Sequence, residues 1–268
     1  MTSSQPASGA PVPSSVHVHD DGPVRIVTID RPDRRNAVDL ATSHALIGAF
    51  TEFDGDDAAV AVLTGAGGTF CAGADLKALA AGEGRVMHED GPTAPMGPTR
   101  LLLSKPVIAA VEGHAVAGGL ELAAWCDLRV AADDAVFGVY CRRWGIPLMD
   151  GGTIRLARLI GHSHALDLIL TGRGVAGDEA LRMGLANRLV PPGRALPEAI
   201  ELARGIASRP QGALRHDRLS SYEQWSLALD AALVGEYRHG MEALRTGEFG
   251  KGIERYASGS WRRTEVSR

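Results

Sequence analysis

Ten residues, Gly113-His114-Ala115-Val116-Ala117-Gly118-Gly119-Leu120-Glu121-Leu122, constrain this chain more than any other stretch. A β-branched apolar run over 106–111 leads in and an apolar segment over 122–126 leads out, so the order is strand, glycine-bearing turn, helix. Gly118 and Gly119 place backbone N–H groups at the positive end of a helix, where a developing anion is favoured. Glu121, three residues beyond Gly118, falls on the same helix face. An anion-stabilising backbone beside a carboxylate is one arrangement a catalytic centre needs. A close-packed helix start with a solvated glutamate is the alternative these ten residues leave open.

The rest of the chain reads as strand–helix units followed by a helical last third. Strands are predicted over 16–19 and 24–30, joined by a turn at Asp20-Asp21-Gly22-Pro23. A polar loop over 31–37 carries three arginines. A helix over 40–54 follows, capped by Asp39, with Leu46, Ile47, Phe50 and Phe53 at helical spacing. Residues 59–64 form a short buried-type strand. Residues 81–99 lack periodicity and are expected to be a mobile loop, with a short helix over 98–104. Strands are expected over 128–131, 135–138 and 187–190. Helices are expected over 153–160, 162–171, 177–184, 196–208, 211–218, 222–239 and 240–257. Alternating strands and helices imply right-handed crossovers and a sheet covered by helices. The expected division is a flexible Ser/Pro/Ala-rich tail over 1–15, a core over 16–195 and a helical region over 196–268.

Composition removes several function classes. The 268 residues are long enough to bury a sizeable core. The net charge is −4 and no long basic run exists, which argues against nucleic acid as the main ligand. The longest apolar runs fall far short of a membrane span. Three cysteines, Cys71, Cys126 and Cys141, follow no metal-ligand spacing, and an odd, sparse set suits reduced thiols in the cytoplasm.

Two glycine loops remain. Gly65-Ala66-Gly67-Gly68 follows a strand but lacks the GxGxxG spacing and the Gly-Lys-Ser/Thr ending of nucleotide loops. Cys71-Ala72-Gly73-Ala74-Asp75 is more informative, because small residues allow close approach to a ligand. The N–H of Ala74 is a candidate second donor opposite that of Gly118, and two converging backbone donors are what acyl-transfer or enolate chemistry needs.

The run from Thr64-Gly65 through Phe70-Cys71-Ala72-Gly73-Ala74-Asp75-Leu76, the Gly113 to Ala123 stretch and Cys126-Asp127-Leu128-Arg129-Val130-Ala131 together resemble the crotonase (enoyl-CoA hydratase/isomerase) superfamily. Arg31-Pro32 to Asn36-Ala37, Gly151-Gly152-Thr153, Leu170-Thr171-Gly172 and Thr246 to Tyr256 resemble further landmarks in the same order. The resemblance implies an α/β fold, the crotonase (ClpP-like) spiral of repeated ββα units with a helical C-terminal trimerisation region. It implies a homotrimer or a dimer of trimers. It also implies an acyl-CoA thioester as substrate, with no metal and no redox cofactor. The thioester carbonyl oxygen would sit between the N–H groups of Ala74 and Gly118, which would stabilise an enolate. Hydration of 2-enoyl-CoA to 3-hydroxyacyl-CoA, in fatty-acid or related acyl-CoA metabolism, is the activity expected first. An enoyl- or dienoyl-CoA isomerase and a non-catalytic acyl-CoA binding protein are the alternatives.

The same resemblance distributes roles. Glu121 matches one of two catalytic glutamates of the hydratase branch and is expected to move a proton or position a water. Cys141 stands where the second is carried. A thiol is a poor substitute for a carboxylate, and the plainer reading is a small buried hydrophobe. Asp150 resembles a catalytic aspartate of the dienoyl-CoA isomerase branch, and the competing reading is an N-cap for the helix at Thr153. Arg34, in the basic loop, is expected near the CoA phosphates, and Ala37, Ala72, Asp75 and Leu76 along the ligand. Trp144 is expected to line or pack behind the acyl pocket, with core packing an equal alternative, and Tyr256 near the ligand from a neighbouring subunit. Arg142 and Arg143 are read as ion-pair partners of Asp150, Glu121 or an acidic acyl group, or as solvated surface, and His114 as a packed or hydrogen-bonded histidine rather than a catalytic one.

Overall fold

The computed structural model describes residues 14–84 and 89–259, so nearly all of the expected N-terminal tail lies outside the described residues. Strands β1 (Val16–Asp21) and β2 (Val24–Ile29) form the expected hairpin. Asp39 then accepts the Thr42 N–H at 2.8 Å and caps α1 (Leu40–Gly55), a contact worth about 1 kcal/mol. Strand β3 (Val60–Gly65) and a short α2 (Leu76–Ala80) follow.

The middle of the chain shows a repeated unit. Strand β4 (Val107–Val111), β5 (His114–Val116) and α3 (Gly118–Trp125) form one copy. Strand β6 (Leu128–Ala132), β7 (Val136–Gly138) and α4 (Gly152–Ile160) form the next. In each copy the first strand joins a large sheet and the second a small one: β4 pairs with β6, and β5 with β7, both in parallel. The chain continues through α5 (His162–Thr171), β8 (Gly174–Ala176), α6 (Gly177–Met183) and β9 (Arg188–Val190). It ends in α7 (Ala195–Ala207), α8 (Gln211–Glu223), α9 (Leu229–Arg245) and α10 (Glu248–Ala257). The large sheet has the order β1-β2-β3-β4-β6-β9 and the small one β5-β7-β8.

Both faces of the large sheet are covered, which explains why its strands read as continuous apolar runs. Val27, Ile29, Ala61, Leu63, Ala109 and Val111 face one core with Leu46, Phe50 and Phe53 of α1. Val24, Ile26, Val60, Val62, Ile108 and Ala110 face the other, against Ala195, Ala199 and Ala203 of α7. By this packing α7 belongs with the sheet rather than with the helices that follow it.

The structure differs from the sequence reading in several places. The turn after Gly113 does not enter the helix directly, because His114–Val116 first pairs with β7. The short strand β8 was not expected. The expected mobile loop is buried in its second half: Ala94, Met96 and Thr99 are nearly inaccessible, and only Pro98–Arg100 of the expected 98–104 helix is helical, as a single turn. Residues 85–88 of that loop lie outside the described residues. The last two helices divide at Thr246–Gly247 rather than after residue 239.

Candidate active site

Gly118 opens α3 after Ala117, whose backbone sits at φ 53 and ψ −125. That region is costly for a residue with a Cβ, on the order of 1–3 kcal/mol, and persists only where its surroundings enforce it. Here the enforcing contact is the Ala117 N–H, which donates to the Gly138 carbonyl of β7 at 2.8 Å. The small sheet therefore fixes the direction in which the Gly118 N–H points. On the opposite side, Val38 N–H donates to the Gly73 carbonyl at 2.8 Å, and Val116 N–H to the Cys71 carbonyl at 3.1 Å. These bonds hold residues 71–74 against the start of α3. The approach is close: a Cβ on Gly119 would stand 2.0 Å from the Cys71 oxygen, and one on Gly73 2.8 Å from the Gly118 nitrogen. Among the described residues, neither the Ala74 nor the Gly118 N–H has an acceptor.

These two segments wall a cavity of about 310 Å³, lined mostly by apolar side chains. Glu121 is 3% exposed and faces it. Its Oε1 accepts the N–H groups of Asp150 at 2.9 Å and Gly152 at 2.8 Å. Burial, reinforced by the charge of Asp150, pushes the carboxyl up to about 7, against the pull of those two N–H groups and of Arg155. A carboxyl poised near neutrality can both take and return a proton.

Asp150 also lines the cavity, and its role as an N-cap is corrected by the structure. The residue at the start of α4 is Gly151, with no side-chain cap bond. The Asp150 carboxylate instead accepts the Met96 N–H at 2.8 Å and the Thr99 hydroxyl at 2.7 Å. It thereby fastens the 94–100 segment to the loop that grips Glu121. Arg155 closes the same junction, donating to the carbonyls of Asp150 at 2.8 Å and Thr99 at 2.5 Å. Asp150→Asn keeps an acceptor oxygen, so stability should be retained and kcat should fall by much less than the roughly 10²-fold expected for losing a proton carrier. Because the Asp150 charge raises the Glu121 pKa, its removal should move the acidic limb of the kcat/KM profile to lower pH. A loss as large as that of Glu121→Gln would make Asp150 a second proton carrier.

The remaining site residues divide. Ala72, Leu76, Cys141 and Trp144 line the cavity with Ala74, Gly118, Glu121 and Asp150. Burial pushes the Cys141 thiol up, so it stays neutral. Trp144 is 68% exposed at the rim, so it is not core packing. Asp75 does not line the cavity: its carboxylate caps α2 through the Lys77 and Ala78 N–H groups and pairs with Arg31 at 3.0 Å. Arg34 and Ala37 do not line it either. Arg34 is exposed on a single turn over Pro32–Arg34, and Ala37 is buried. Arg31 ties that loop together through Asp39, Asp75 and the Ala37 carbonyl. Tyr256 is exposed on α10 and does not reach the cavity of its own chain. Arg142 and Arg143 are exposed, with Arg143 over the Tyr140 ring. His114 is exposed at the start of β5, not packed. Met96, Ala117, Tyr140 and Met149 line the cavity and were missed, since nothing local marks them. Among the described residues no cluster of three or more His, Cys, Asp or Glu is placed to hold a metal ion, and no helix is long and apolar enough to cross a membrane.

An α/β spiral that closes an apolar cavity around a buried carboxylate is the architecture of the crotonase-fold enzymes. The chain belongs to the enoyl-CoA hydratase/isomerase family, whose sequence model matches residues 20–260. It is 43% identical over 192 residues to enoyl-CoA hydratase EchA19 of Mycobacterium tuberculosis, covering 70% of this chain and 72% of that one. It is 43% identical over 196 residues to a carnitinyl-CoA dehydratase of Salmonella arizonae, covering 72% and 74%. Its fold matches the crystal structure of enoyl-CoA hydratase EchA1 from Mycobacterium marinum with a TM-score of 0.86 at 37% identity, over 92% of this chain and 96% of that one.

Proposed function

We propose that this chain is a lyase that hydrates 2-enoyl-CoA thioesters to 3-hydroxyacyl-CoA, with Glu121 as the proton carrier. The observation that carries this reading is a single buried glutamate, with its pKa near 7, beside two backbone N–H groups that lack acceptors. Relatives named as acyl-CoA hydratases and dehydratases support it. The thioester oxygen is placed between the N–H groups of Ala74 and Gly118, where the enolate charge develops. The Glu121 carboxylate takes a proton from water as its oxygen bonds to the β-carbon, then delivers a proton to the α-carbon as the enolate collapses. Every step runs through groups of this chain, and one carrier on one side of the substrate makes the addition syn. The test is a panel of enoyl-CoA thioesters in heavy-oxygen water, with products identified by mass. Loss of the conjugated-enoyl absorbance with uptake of one solvent oxygen is expected. A displaced double bond with no added mass would replace this reading with the isomerase one, in which Asp150 acts with Glu121.

The quaternary reading rests on the last helices. Leu229, Leu233 and Tyr237 lie at helical spacing on α9, and Phe249, Ile253 and Tyr256 on α10, all exposed in the single chain. We read this face as the contact of a homotrimer, alone or as a dimer of trimers, which would also bring Tyr256 to a neighbour's ligand. Light scattering should give a mass of three or six chains, and Leu233→Glu should dissociate the assembly. A monomeric wild-type protein would end this reading.

A further inference from the structure

A second cavity of about 540 Å³ lies between α3, α4 and α8. Met149 lines both it and the catalytic cavity, so the two adjoin at that side chain. Its apolar lining includes Leu101, Leu102, Trp125 and Ile154 as well as Met149. Its charged lining is one-sided: Arg100, Arg155, Arg158 and Arg218 against the single acid Asp127. Asp127 is engaged by Arg218 at 2.7 Å and by the Tyr222 hydroxyl at 2.8 Å. Arg155 bonds two carbonyls, and Arg158 lies over the Trp225 ring at 5.0 Å. Among the described residues neither Arg155 nor Arg158 has a carboxylate within 4.0 Å. They stand three residues apart on α4, on one helix face, and Arg158 is about 9 Å along the helix from Gly152, which grips Glu121.

Arg155 already feels the charges of Glu121 and Asp150, whereas Arg158 has no carboxylate partner among the described residues. A partly apolar cavity that shares Met149 with the catalytic one and holds such a guanidinium suits an aliphatic chain that ends in an anion. We propose that the second cavity receives the distal end of the acyl chain, and that Arg158, with Arg155 behind it, selects chains ending in a carboxylate. The substrate class is then the enoyl-CoA of a dicarboxylic acid. The proposal rests on the hydration reading only for its reaction, not for its binding.

The test compares two 2-enoyl-CoA thioesters of equal length, one ending in a carboxylate and one in a methyl group. Wild-type kcat/KM should favour the carboxylated chain by about ten- to a hundredfold, the range for a hydrogen-bonded charge. Arg158→Gln should reduce that ratio by at least about tenfold. Met149→Trp should crowd the boundary that the two cavities share and lower kcat/KM for both long chains relative to the four-carbon crotonyl-CoA. A wild-type ratio near one, or ratios unmoved by these substitutions, would overturn the proposal. Calorimetric binding of the saturated counterparts needs no turnover and reads the same preference. Tighter binding of the carboxylated thioester that Arg158→Gln abolishes would keep the subsite even if no thioester were hydrated. Hydration with no terminal preference would keep the reaction and remove the subsite.

Discussion

Glu121→Gln is expected to lower kcat for enoyl-CoA hydration by about 10²- to 10⁴-fold and to make the protein more stable at pH 8. The side-chain oxygen of glutamine still accepts the N–H groups of Asp150 and Gly152, so the loop keeps its anchor. What disappears is the exchangeable proton. Wild-type kcat/KM should fall as pH drops below about 7, where the carboxylate that takes the proton from water becomes neutral. The variant's residual activity should lack that limb. The stability effect follows from the same shift. The carboxyl titrates near 4.5 in an unfolded chain and near 7 in the fold, so the folded state holds a proton through that window after the unfolded state has lost it. The associated stability is complete below 4.5 and is lost as pH rises to about 7, a loss on the order of 3 kcal/mol. Urea unfolding at pH 5 and pH 8 should show Glu121→Gln gaining on the wild type across that interval. Turnover within a few-fold of wild type would remove Glu121 from the mechanism, and a stability difference that does not change with pH would mean its pKa is not raised.

Gly73→Ala is expected to cost about 10²- to 10³-fold in kcat, the range for spoiling one oxyanion donor, with a much smaller effect on KM. Gly73 sits at φ +94, and the added methyl would meet the Gly118 nitrogen at 2.8 Å and the Ala117 methyl at 3.0 Å. Relief requires residues 71–74 and the start of α3 to move apart, which separates the Ala74 and Gly118 donors. Gly22→Ala controls for backbone strain alone, because Gly22 has φ +61 but nothing within 4 Å of the new methyl. Both substitutions should lower the melting temperature, and only Gly73→Ala should lower kcat. Equal activity in the two variants would mean the donors need no such spacing.

The parts of this architecture legible in the sequence are those set by neighbours in the chain. Gly118, Glu121 and the apolar segment after them lie within one helical turn or two, so spacing alone put the amides beside the carboxylate. The large sheet was legible because burial on both faces leaves continuous apolar runs. Strand β5 was not, because three residues are too few to show a period. The role of Asp150 turned on partners 54 and 51 residues away. Locally an aspartate near a helix start reads as a cap, and only the fold shows Met96 and Thr99 claiming its carboxylate. Asp75 shows the same limit: its ion-pair partner Arg31 stands 44 residues away, and no local spacing announces that pair.

The two donors placed around the thioester oxygen belong to the main chain, at Ala74 and Gly118. Of the twenty amino acids only proline lacks that N–H, so nearly every codon change at these positions leaves the hydrogen-bonding hardware in place. What such changes alter is bulk, since the Ala74 methyl lines the cavity and a side chain at Gly118 would press on Met96. Descendants of such a chain can remodel which acyl group fits while inheriting the same oxygen-binding pair.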